Sequence, residues 1–466
     1  MNNKAVIRII ALAIMTLTLC QLFAVSAFAV TEVPYPKTSR SAILYCITSG
    51  DILWEKNPDV RVYPASTVKI MTAIIALEHY AGAYDTNITI DASCIKNTSG
   101  NRIKLREGEV VTADQLINAL IVGGANDAAQ ALAVNIAGST AAFVDMMNEK
   151  AKAIGMENTY YANPTGLHNG TMYTTASDVM TLALYAKNIG RFMDICGVAR
   201  YDMEATNISK VRNIVNKNYF VSPNSGYYYS VVDGMNSGST PEAGYCTVAT
   251  AIQDGVSYLC IVMGAGVQED IVKEAETITH EDGTIEEITP AEVKRTVLSY
   301  GECRALINWA LKNYGYLTVA GASDLVWEMP VNLSSSVDHV TLVPKHEIEL
   351  YLPTDIDMET EIRRTWTLDS ESIDAPIKAG TKVGVLTLTY EGEKVAEVEL
   401  VTRNNVERDE WLYIFNQISE ASKTPGFRLC AIALIIAVVA YIYGTSIARA
   451  RRKKAEEREY YKNKPF

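Results

Sequence analysis

The chain has 466 residues, of which 48% are hydrophobic and 21% charged, so it can bury a large core in about two or three domains. Its net charge of -12 is uneven, because residues 447–466 carry eight Lys or Arg against three Glu. The rest of the chain is therefore strongly acidic. Since phosphate neutralisation requires clustered basic residues, we expect no nucleic-acid partner.

The first 29 residues have the pattern of a secretory signal peptide. Lys4 and Arg8 form a positive start, an apolar run follows from Ile9 to Val25, and Ala27-Phe28-Ala29 offers a cleavage site. An uncleaved membrane anchor is the alternative, because the apolar run is long for a signal peptide. Either interpretation predicts that the body of the protein is exported.

Residues 30–317 are predicted to form an α+β domain. Apolar residues alternate in some segments and recur every three or four positions in others, which indicates strands and helices respectively. Helices should pack against an antiparallel sheet built from both ends of this region. The predicted elements are strands within 41–60 and 231–263, helices within 66–80, 112–138 (interrupted at Gly123-Gly124) and 140–154, and a closing helix, GECRALINWALKNY.

The remaining sequence predicts a small all-β domain at 318–406, a polar linker with some helical character at 407–427, a transmembrane helix at 428–448 and a basic tail at 449–466. The run from Leu429 to Tyr443 has no charge on any face, which favours a membrane span over an amphipathic helix lying on the surface. The basic cluster after the span should remain in the cytoplasm, which leaves the acidic body outside the cytoplasmic membrane.

Neither the cysteines nor the histidines show the spacing of a metal site. Cys20 lies in the predicted signal peptide and Cys430 in the predicted span, and the other six cysteines are scattered. Many lie in apolar segments, so we interpret them mainly as core thiols, with one or two disulfides as the alternative. The five histidines show no ligand spacing either, so we expect no metal and no other cofactor.

Ser66-Thr67-Val68-Lys69 is the segment that suggests catalysis. Residues three apart on a helix share a face, so the Ser66 hydroxyl and the Lys69 amine would meet at the start of one helix. Serine becomes a nucleophile when a neighbour accepts its proton, and a lysine accepts it only if its pKa is lowered. The same spacing arises by chance, in which case Ser66 is a capping residue and Lys69 a surface lysine.

A wider set of segments resembles one family, the low-molecular-mass penicillin-binding proteins that are D-alanyl-D-alanine carboxypeptidases. RVYPASTVKIMTAIIALE resembles their nucleophile segment, and LREGEVVTADQLINALIVGGANDAAQALA resembles the second-motif segment. YYANPTGLHNG and YTTASDVMTLALYA resemble the family's Asn-Pro-x-Gly-Leu stretch and the helix that follows it. VDGMNSGSTPEAGYCTVATA resembles the third-motif strand, and PIKAGTKVGVLTLTYEGEKVAEVELVTRNNVER the β-rich C-terminal domain. The resemblance extends from about residue 35 to 410 and implies a penicillin-recognising transpeptidase/β-lactamase-like fold.

The resemblance also implies roles for individual residues. Ser66 would be the acyl-enzyme nucleophile, Lys69 its base, and Asn126 a hydrogen-bonding partner of the substrate and the lysine. The backbone N–H groups of Ser66 and Ser239 would form the oxyanion hole. The substrate-binding positions implied by the third motif are Asn236, Ser237, Gly238 and Ser239.

Two motifs depart from the family's pattern. The second is usually Ser-x-Asn, but Gly124 stands where the serine is expected, so a hydroxyl is missing. The third is usually Lys-Thr-Gly, but Asn236 replaces the lysine and removes a cation expected to attract the substrate's carboxylate and lower the pKa of Lys69. The GAGVQED segment also lacks the arginine that many relatives have there.

These features favour a serine carboxypeptidase that removes the terminal D-alanine from peptidoglycan stem peptides and is acylated by β-lactams. The altered Gly124 and Asn236 support an alternative, a wall-binding or scaffold protein with impaired catalysis. A β-lactamase is disfavoured, because soluble lactamases need neither a β-domain nor a membrane anchor.

Overall fold

The computed structural model describes residues 33–96, 98–273, 276–279, 285–289 and 292–462. The predicted signal peptide lies outside these residues. The chain divides into two units between Gly315 and Tyr316.

The first unit combines helices with a five-stranded antiparallel sheet. Its helices are α1 (Val68–His79), α2 (Ala92–Ile95), α3 (Ala113–Ile121), α4 (Asn126–Ala137), α5 (Thr140–Ala153), α6 (Ala176–Lys187), α7 (Gly190–Cys196) and α8 (Leu298–Asn313). Its strands are β1 (Ser41–Cys46), β2 (Asp51–Lys56), β3 (Asn87–Thr89), β4 (Val110–Thr112), β5 (Arg200–Met203), β6 (Arg212–Val215), β7 (Val232–Thr240), β8 (Gly244–Gln253), β9 (Val256–Ala265), β10 (Val267–Lys273), β11 (Glu276–Thr279), β12 (Ile285–Thr289) and β13 (Glu292–Val297).

The main sheet has the strand order β2-β1-β9-β8-β7, with every neighbouring pair antiparallel. β1 comes from the beginning of the unit, whereas β7 to β9 come from its second half. The expectation of an α+β fold with a sheet drawn from both ends of the region is therefore confirmed. This topology leaves β7 at the sheet edge, next to the start of α1.

α1 is the central helix of the first unit. All ten residues from Val68 to Leu77 are buried, and nine of them are uncharged. A helix that is apolar on nearly every side is stable only in the interior. Lys69 is the exception, and its position within this helix determines its chemistry.

The break between α3 and α4 was expected from the two glycines. Thr112 begins α3 with a capping box, in which its hydroxyl accepts from Gln115 N and the Gln115 side chain accepts from Thr112 N. The chain then turns through Gly124, whose φ is +59°, before α4 begins at Asn126.

Six cysteines of the first unit are buried free thiols: Cys46, Cys94, Cys196, Cys246, Cys260 and Cys303. Burial raises the pKa of the Cys246 thiol to about 11 and that of Cys196 to about 12. These side chains therefore pack as small apolar groups within the core.

The second unit contains the all-β region. Its strands are β14 (Tyr314–Ala320, which crosses the division), β15 (Trp327–Asn332), β16 (His339–Pro344), β17 (Ile348–Pro353), β18 (Ile362–Leu368), β19 (Ile373–Asp374), β20 (Lys382–Tyr390) and β21 (Glu393–Thr402). Six of them form a sheet in the order β18-β20-β21-β16-β15-β19, and β14 pairs with β17. Leu342, Leu386, Leu388 and Leu400 are among its buried core residues.

Two helices follow the strands, α9 (Glu410–Lys423) and α10 (Pro425–Lys462). The segment expected to be a polar linker is therefore largely helical, and it exposes Trp411, Phe415 and Ile418. Within α10, residues Pro425–Glu459 are long and apolar enough to cross a membrane, and they are not buried within the protein. The predicted span at 428–448 lies inside this helix.

Candidate active site

Ser66 lies in a tight turn immediately before α1. Residues Ala65–Thr67 form one 3-10 turn, and the Thr67 hydroxyl donates to the Pro64 carbonyl oxygen at 2.6 Å. Ala65 has a φ of +48°, a left-handed conformation that costs a non-glycine residue about 1–2 kcal/mol. The surrounding structure holds this strained turn and thereby fixes Ser66 at the N-terminus of the central helix.

Lys69 lies one helical turn after Ser66, and its amine contacts the Ser66 hydroxyl. The distance between Lys69 Nζ and Ser66 Oγ is 3.0 Å, and Lys69 is only 1% exposed. Nζ also donates to the Thr165 carbonyl oxygen. Burial lowers the pKa of Lys69 from its usual 10.5 to about 7, because removal from water disfavours the charged amine. A large fraction of this amine is therefore neutral near pH 7 and can accept a proton.

The Thr165 carbonyl is positioned by a short loop that begins at Asn163. Asn163 Oδ1 accepts from Thr165 N at 3.1 Å and from Gly166 N at 2.8 Å, and its Nδ2 donates to Leu167 O at 2.9 Å. A Cβ on Gly166 would lie 2.0 Å from Ala65 O, so only glycine allows the loop to approach the nucleophile's turn this closely. Sequence reasoning noted this Asn-Pro-x-Gly-Leu segment but gave it no part in the site.

Asn126 begins α4 and lines the same cavity as Ser66. The family resemblance implied a hydrogen bond from Asn126 to the lysine. In the structure its Nδ2 donates instead to Ser99 O at 2.6 Å, and its buried Oδ1 has no partner among the described residues. Asn126 is thus near the nucleophile, with an unused acceptor.

Gly124 lies beside Asn126 in a conformation suited to glycine. Its φ of +59° is in the left-handed region, where a serine would be strained. A Cβ there would have room, since the nearest atom, Asn101 Nδ2, is 3.4 Å away. The backbone conformation therefore opposes a serine at this position more than the available space does.

β7 carries the third motif along one side of the nucleophile. A Cβ on Gly238 would lie 2.4 Å from Ser66 Cβ, so this position must be glycine. Ser237 Oγ donates to Lys217 O at 2.9 Å and accepts from the Tyr300 hydroxyl at 2.7 Å. Burial, the largest influence, raises the pKa of Tyr300 to about 12, so this phenol stays protonated as a donor.

Asn236 differs from its neighbours on β7. It is 6% exposed, and its Oδ1 is buried without a partner among the described residues. It does not belong to the set of residues that line the cavity, whereas Ser237, Gly238 and Ser239 do. The position where the family usually has a lysine is therefore neutral and set back from the cavity.

The cavity beside Ser66 has a volume of about 440 Å³. It brings together Ser66, Asn126, Ser237, Gly238 and Ser239 from the predicted site, with Lys69 contacting Ser66 from the protein interior. Lys217 and Tyr300 also line it, and sequence reasoning identified neither. A neighbouring cavity of about 510 Å³ shares Thr165 and Leu167 but not the nucleophile.

A serine and a buried lysine at the start of a central helix, beside the edge strand of an antiparallel sheet, are typical of the penicillin-binding class of proteins. The comparison with known families makes the assignment specific. The chain belongs to the D-alanyl-D-alanine carboxypeptidase family, whose sequence model matches residues 28–267. The C-terminal domain of penicillin-binding protein 5 matches residues 324–408.

Individual relatives agree with this assignment. The chain is 27% identical to the D-alanyl-D-alanine carboxypeptidase DacF of Bacillus subtilis, over 87% of this chain and 95% of the relative. It is also 27% identical to DacC of Escherichia coli, over 83% and 89% respectively. Penicillin-binding protein 5 from Haemophilus influenzae has the same fold, with a TM-score of 0.54 and 23% identity over 80% of this chain and 99% of that one.

Proposed function

We propose that the protein is a serine-type D-Ala-D-Ala carboxypeptidase that removes the terminal D-alanine of peptidoglycan stem peptides. The observation that carries this proposal is the buried Lys69 amine 3.0 Å from Ser66 Oγ, with its pKa lowered to about 7. Membership of the family supports the same substrate class. The site residues take the following roles in this reaction.

Ser66 Oγ attacks the carbonyl carbon of the peptide bond between the two D-alanines and passes its proton to Lys69 Nζ. The backbone N–H groups of Ser66 and Ser239 stabilise the negative oxygen that forms. The bond to the terminal residue then breaks, and Lys69 returns the proton to the leaving D-alanine nitrogen. Water finally hydrolyses the ester on Ser66, with Lys69 again as the base.

β-Lactams enter the same reaction through their ring amide. Ser66 opens the ring and becomes acylated, and the leaving nitrogen stays attached to the acyl group. The resulting ester is a covalent adduct that can be detected by mass.

A second candidate function is a wall-binding or scaffold protein with impaired acyl transfer. Gly124 and Asn236 favour it, because a hydroxyl and a cation expected near the reaction are missing. Loss of a group that acts in the transition state typically lowers the rate by about 10²- to 10³-fold. Two observations favour a protein that retains acyl transfer: Asn126 Oδ1 has no partner among the described residues and can accept a hydrogen bond from substrate, and the pKa of Lys69 is lowered.

Intact-mass analysis separates the two functions. The full-length protein in detergent is incubated with a penicillin, beside a Ser66→Ala variant of equal thermal stability. An adduct of one penicillin mass on the parent and none on the variant supports the enzyme. A folded parent that remains unmodified contradicts acyl transfer and favours the scaffold.

We also propose that residues 428–448 anchor the protein in the cytoplasmic membrane. Residues 30–406 then lie on the outer side of this membrane and residues 449–466 in the cytoplasm, and residues 1–29 are removed as a signal peptide. The long apolar stretch within α10 and the basic residues after that stretch support this topology. A chain ending at Thr424 should leave the membrane fraction. In intact spheroplasts, external protease should degrade the body and spare a tag at Phe466, and loss of that tag contradicts the orientation.

A further inference from the structure

The cavity beside Ser66 is nearly uncharged. Asn236 supplies no charge, and among the described residues that line the cavity Lys217 alone has a charged side chain. A D-alanyl-D-alanine peptide ends in a carboxylate, and so do penicillins, so recognition in this cavity requires a positive group or several strong donors.

The backbone of Lys217 is held between two elements of the site. Its N–H donates to Val122 O at 2.9 Å, and its carbonyl oxygen accepts from Ser237 Oγ at 2.9 Å and from the Tyr300 hydroxyl at 3.3 Å. These contacts tie it to the end of α3 on one side and to the third-motif strand on the other. Lys217 is therefore a fixed part of the cavity wall.

The residues on either side of Lys217 strengthen this arrangement. Asn216 is 1% exposed, and its Nδ2 donates to Cys196 O at 3.0 Å and Val198 O at 2.7 Å. Asn218 is 2% exposed, and its Nδ2 donates to Gly234 O at 3.1 Å. Two buried amides thus lock the backbone of this segment, so the side chain of Lys217 starts from a fixed position in the cavity wall.

The side chain of Lys217 passes over Gly124. A Cβ on Gly124 would lie 3.7 Å from Lys217 Cγ and 3.8 Å from Lys217 Cβ, which is ordinary contact distance. Lys217 is half-buried, and no ion pair with it occurs among the residues that the structure describes. Its stem is thus covered while its ammonium group remains available to an anion.

We propose that Lys217 binds the terminal carboxylate of the acyl-D-alanyl-D-alanine substrate and the equivalent carboxylate of β-lactams. It supplies, from the loop between β6 and β7, the positive charge that Asn236 lacks on the strand. The inference rests on the proposed function and adds the residue that selects substrates with a free C-terminal carboxylate. Ser237, which is hydrogen-bonded to the Lys217 backbone, places a hydroxyl on the same side of the cavity.

Binding measurements without turnover test this assignment. In the full-length Ser66→Ala protein, dissociation constants are measured for an N-acyl-D-alanyl-D-alanine peptide and for its C-terminal amide. The acid should bind about tenfold to hundredfold more tightly than the amide, as expected for a charge-assisted contact. Adding Lys217→Gln should abolish this ratio, whereas Lys217→Arg should keep most of it.

Lys152→Gln is the matched control, because Lys152 is an exposed lysine on α5 outside the cavity. Circular dichroism and thermal melting confirm that each variant is folded. An acid-to-amide ratio near one in the Ser66→Ala protein, or a ratio that survives Lys217→Gln, overturns the assignment. A ratio that collapses with Lys217→Gln and not with Lys152→Gln supports it.

The outcome is separate from that of the proposed reaction. A parent protein that binds the acid through Lys217 but forms no penicillin adduct retains the carboxylate site and lacks acyl transfer. If the Lys217→Gln variant forms the penicillin adduct at the rate of the parent, acyl transfer is retained and the assignment of Lys217 to the β-lactam carboxylate is overturned.

Discussion

Replacement of Lys69 by methionine should remove a pH-dependent destabilisation of the folded protein. Burial lowers the pKa of Lys69 from 10.5 to about 7, and each pH unit of such a difference corresponds to about 1.4 kcal/mol. Between these two values the unfolded chain keeps a proton that the folded chain has released, so the free energy of unfolding rises with pH. Methionine has a side chain of similar length and no charge, so residue 69 of the Lys69→Met variant contributes nothing to the pH dependence of the unfolding free energy.

The magnitude follows from the two pKa values. Burial of the amine costs about 4 kcal/mol at pH 7 and about 2 kcal/mol at pH 9, because the free energy that the unfolded lysine gains from protonation falls as the pH approaches its pKa of 10.5. The difference in unfolding free energy between Lys69→Met and the parent should therefore change by about 2 kcal/mol over this range. Lost hydrogen bonds and altered packing add an offset, but that offset does not depend on pH.

Pulse proteolysis in a urea series measures this difference at pH 7, 8 and 9 on the full-length protein. Lys152→Met, at an exposed lysine on α5, provides the control and should show a constant difference from the parent. If the Lys69→Met difference is equally constant, within about 0.5 kcal/mol, the amine is not desolvated in the folded protein. The lysine would then lack the property that qualifies it as the base.

Three further outcomes follow from the described geometry. Acylation by penicillin should fall about tenfold per pH unit below a midpoint near 7, because only the neutral Lys69 amine accepts the proton, and a flat profile from pH 5 to 9 contradicts this role. Gly238→Ala should slow formation of the penicillin adduct at least about 100-fold, because its Cβ would lie 2.4 Å from Ser66 Cβ. Gly170→Ala, whose Cβ would lie in open space, should form the adduct at the rate of the parent. Glu109→Ala should lower the unfolding free energy by about 3–5 kcal/mol in urea titrations. It removes the buried carboxylate whose Oε1 lies 2.7 Å from Arg212 Nη2, and a loss below about 1 kcal/mol contradicts this expectation.

The sequence was sufficient for the features that depend on local spacing. Ser66 and Lys69 are three residues apart where a 3-10 turn runs into α1, so their contact follows from local helical geometry. The apolar residues around the whole of α1 imply a buried helix, and a buried helix implies a desolvated lysine. The break at Gly123-Gly124 likewise follows from local backbone preferences.

The contacts between distant segments could not be inferred in this way. Thr165 lies 96 residues from Lys69, and its carbonyl reaches the amine only because the loop after Asn163 folds against the nucleophile's turn. Lys217 was missed for the same reason, since no local pattern distinguishes it from a surface lysine. Asn126 also differs from the expectation, because the Ser99 carbonyl competes successfully for its amide.

The segment after the β domain shows another limit. Its residues predict a polar linker with some helical character, whereas 14 of them form the single helix α9. Asp409 caps this helix by accepting from Trp411 N and Leu412 N. Such a cap is visible in the sequence and marks where the helix begins, but it does not give the length of the helix.

The six buried thiols allow local opening of the first unit to be measured by their chemical reactivity. An alkylating reagent can reach Cys46, Cys196 or Cys260 only when the surrounding structure transiently opens, so each labelling rate reports the free energy of one local opening. Because the cysteines are distributed over strands and helices, peptide mapping after alkylation would resolve these openings region by region. The measurement requires no purification and can be made in living cells, with and without a bound antibiotic.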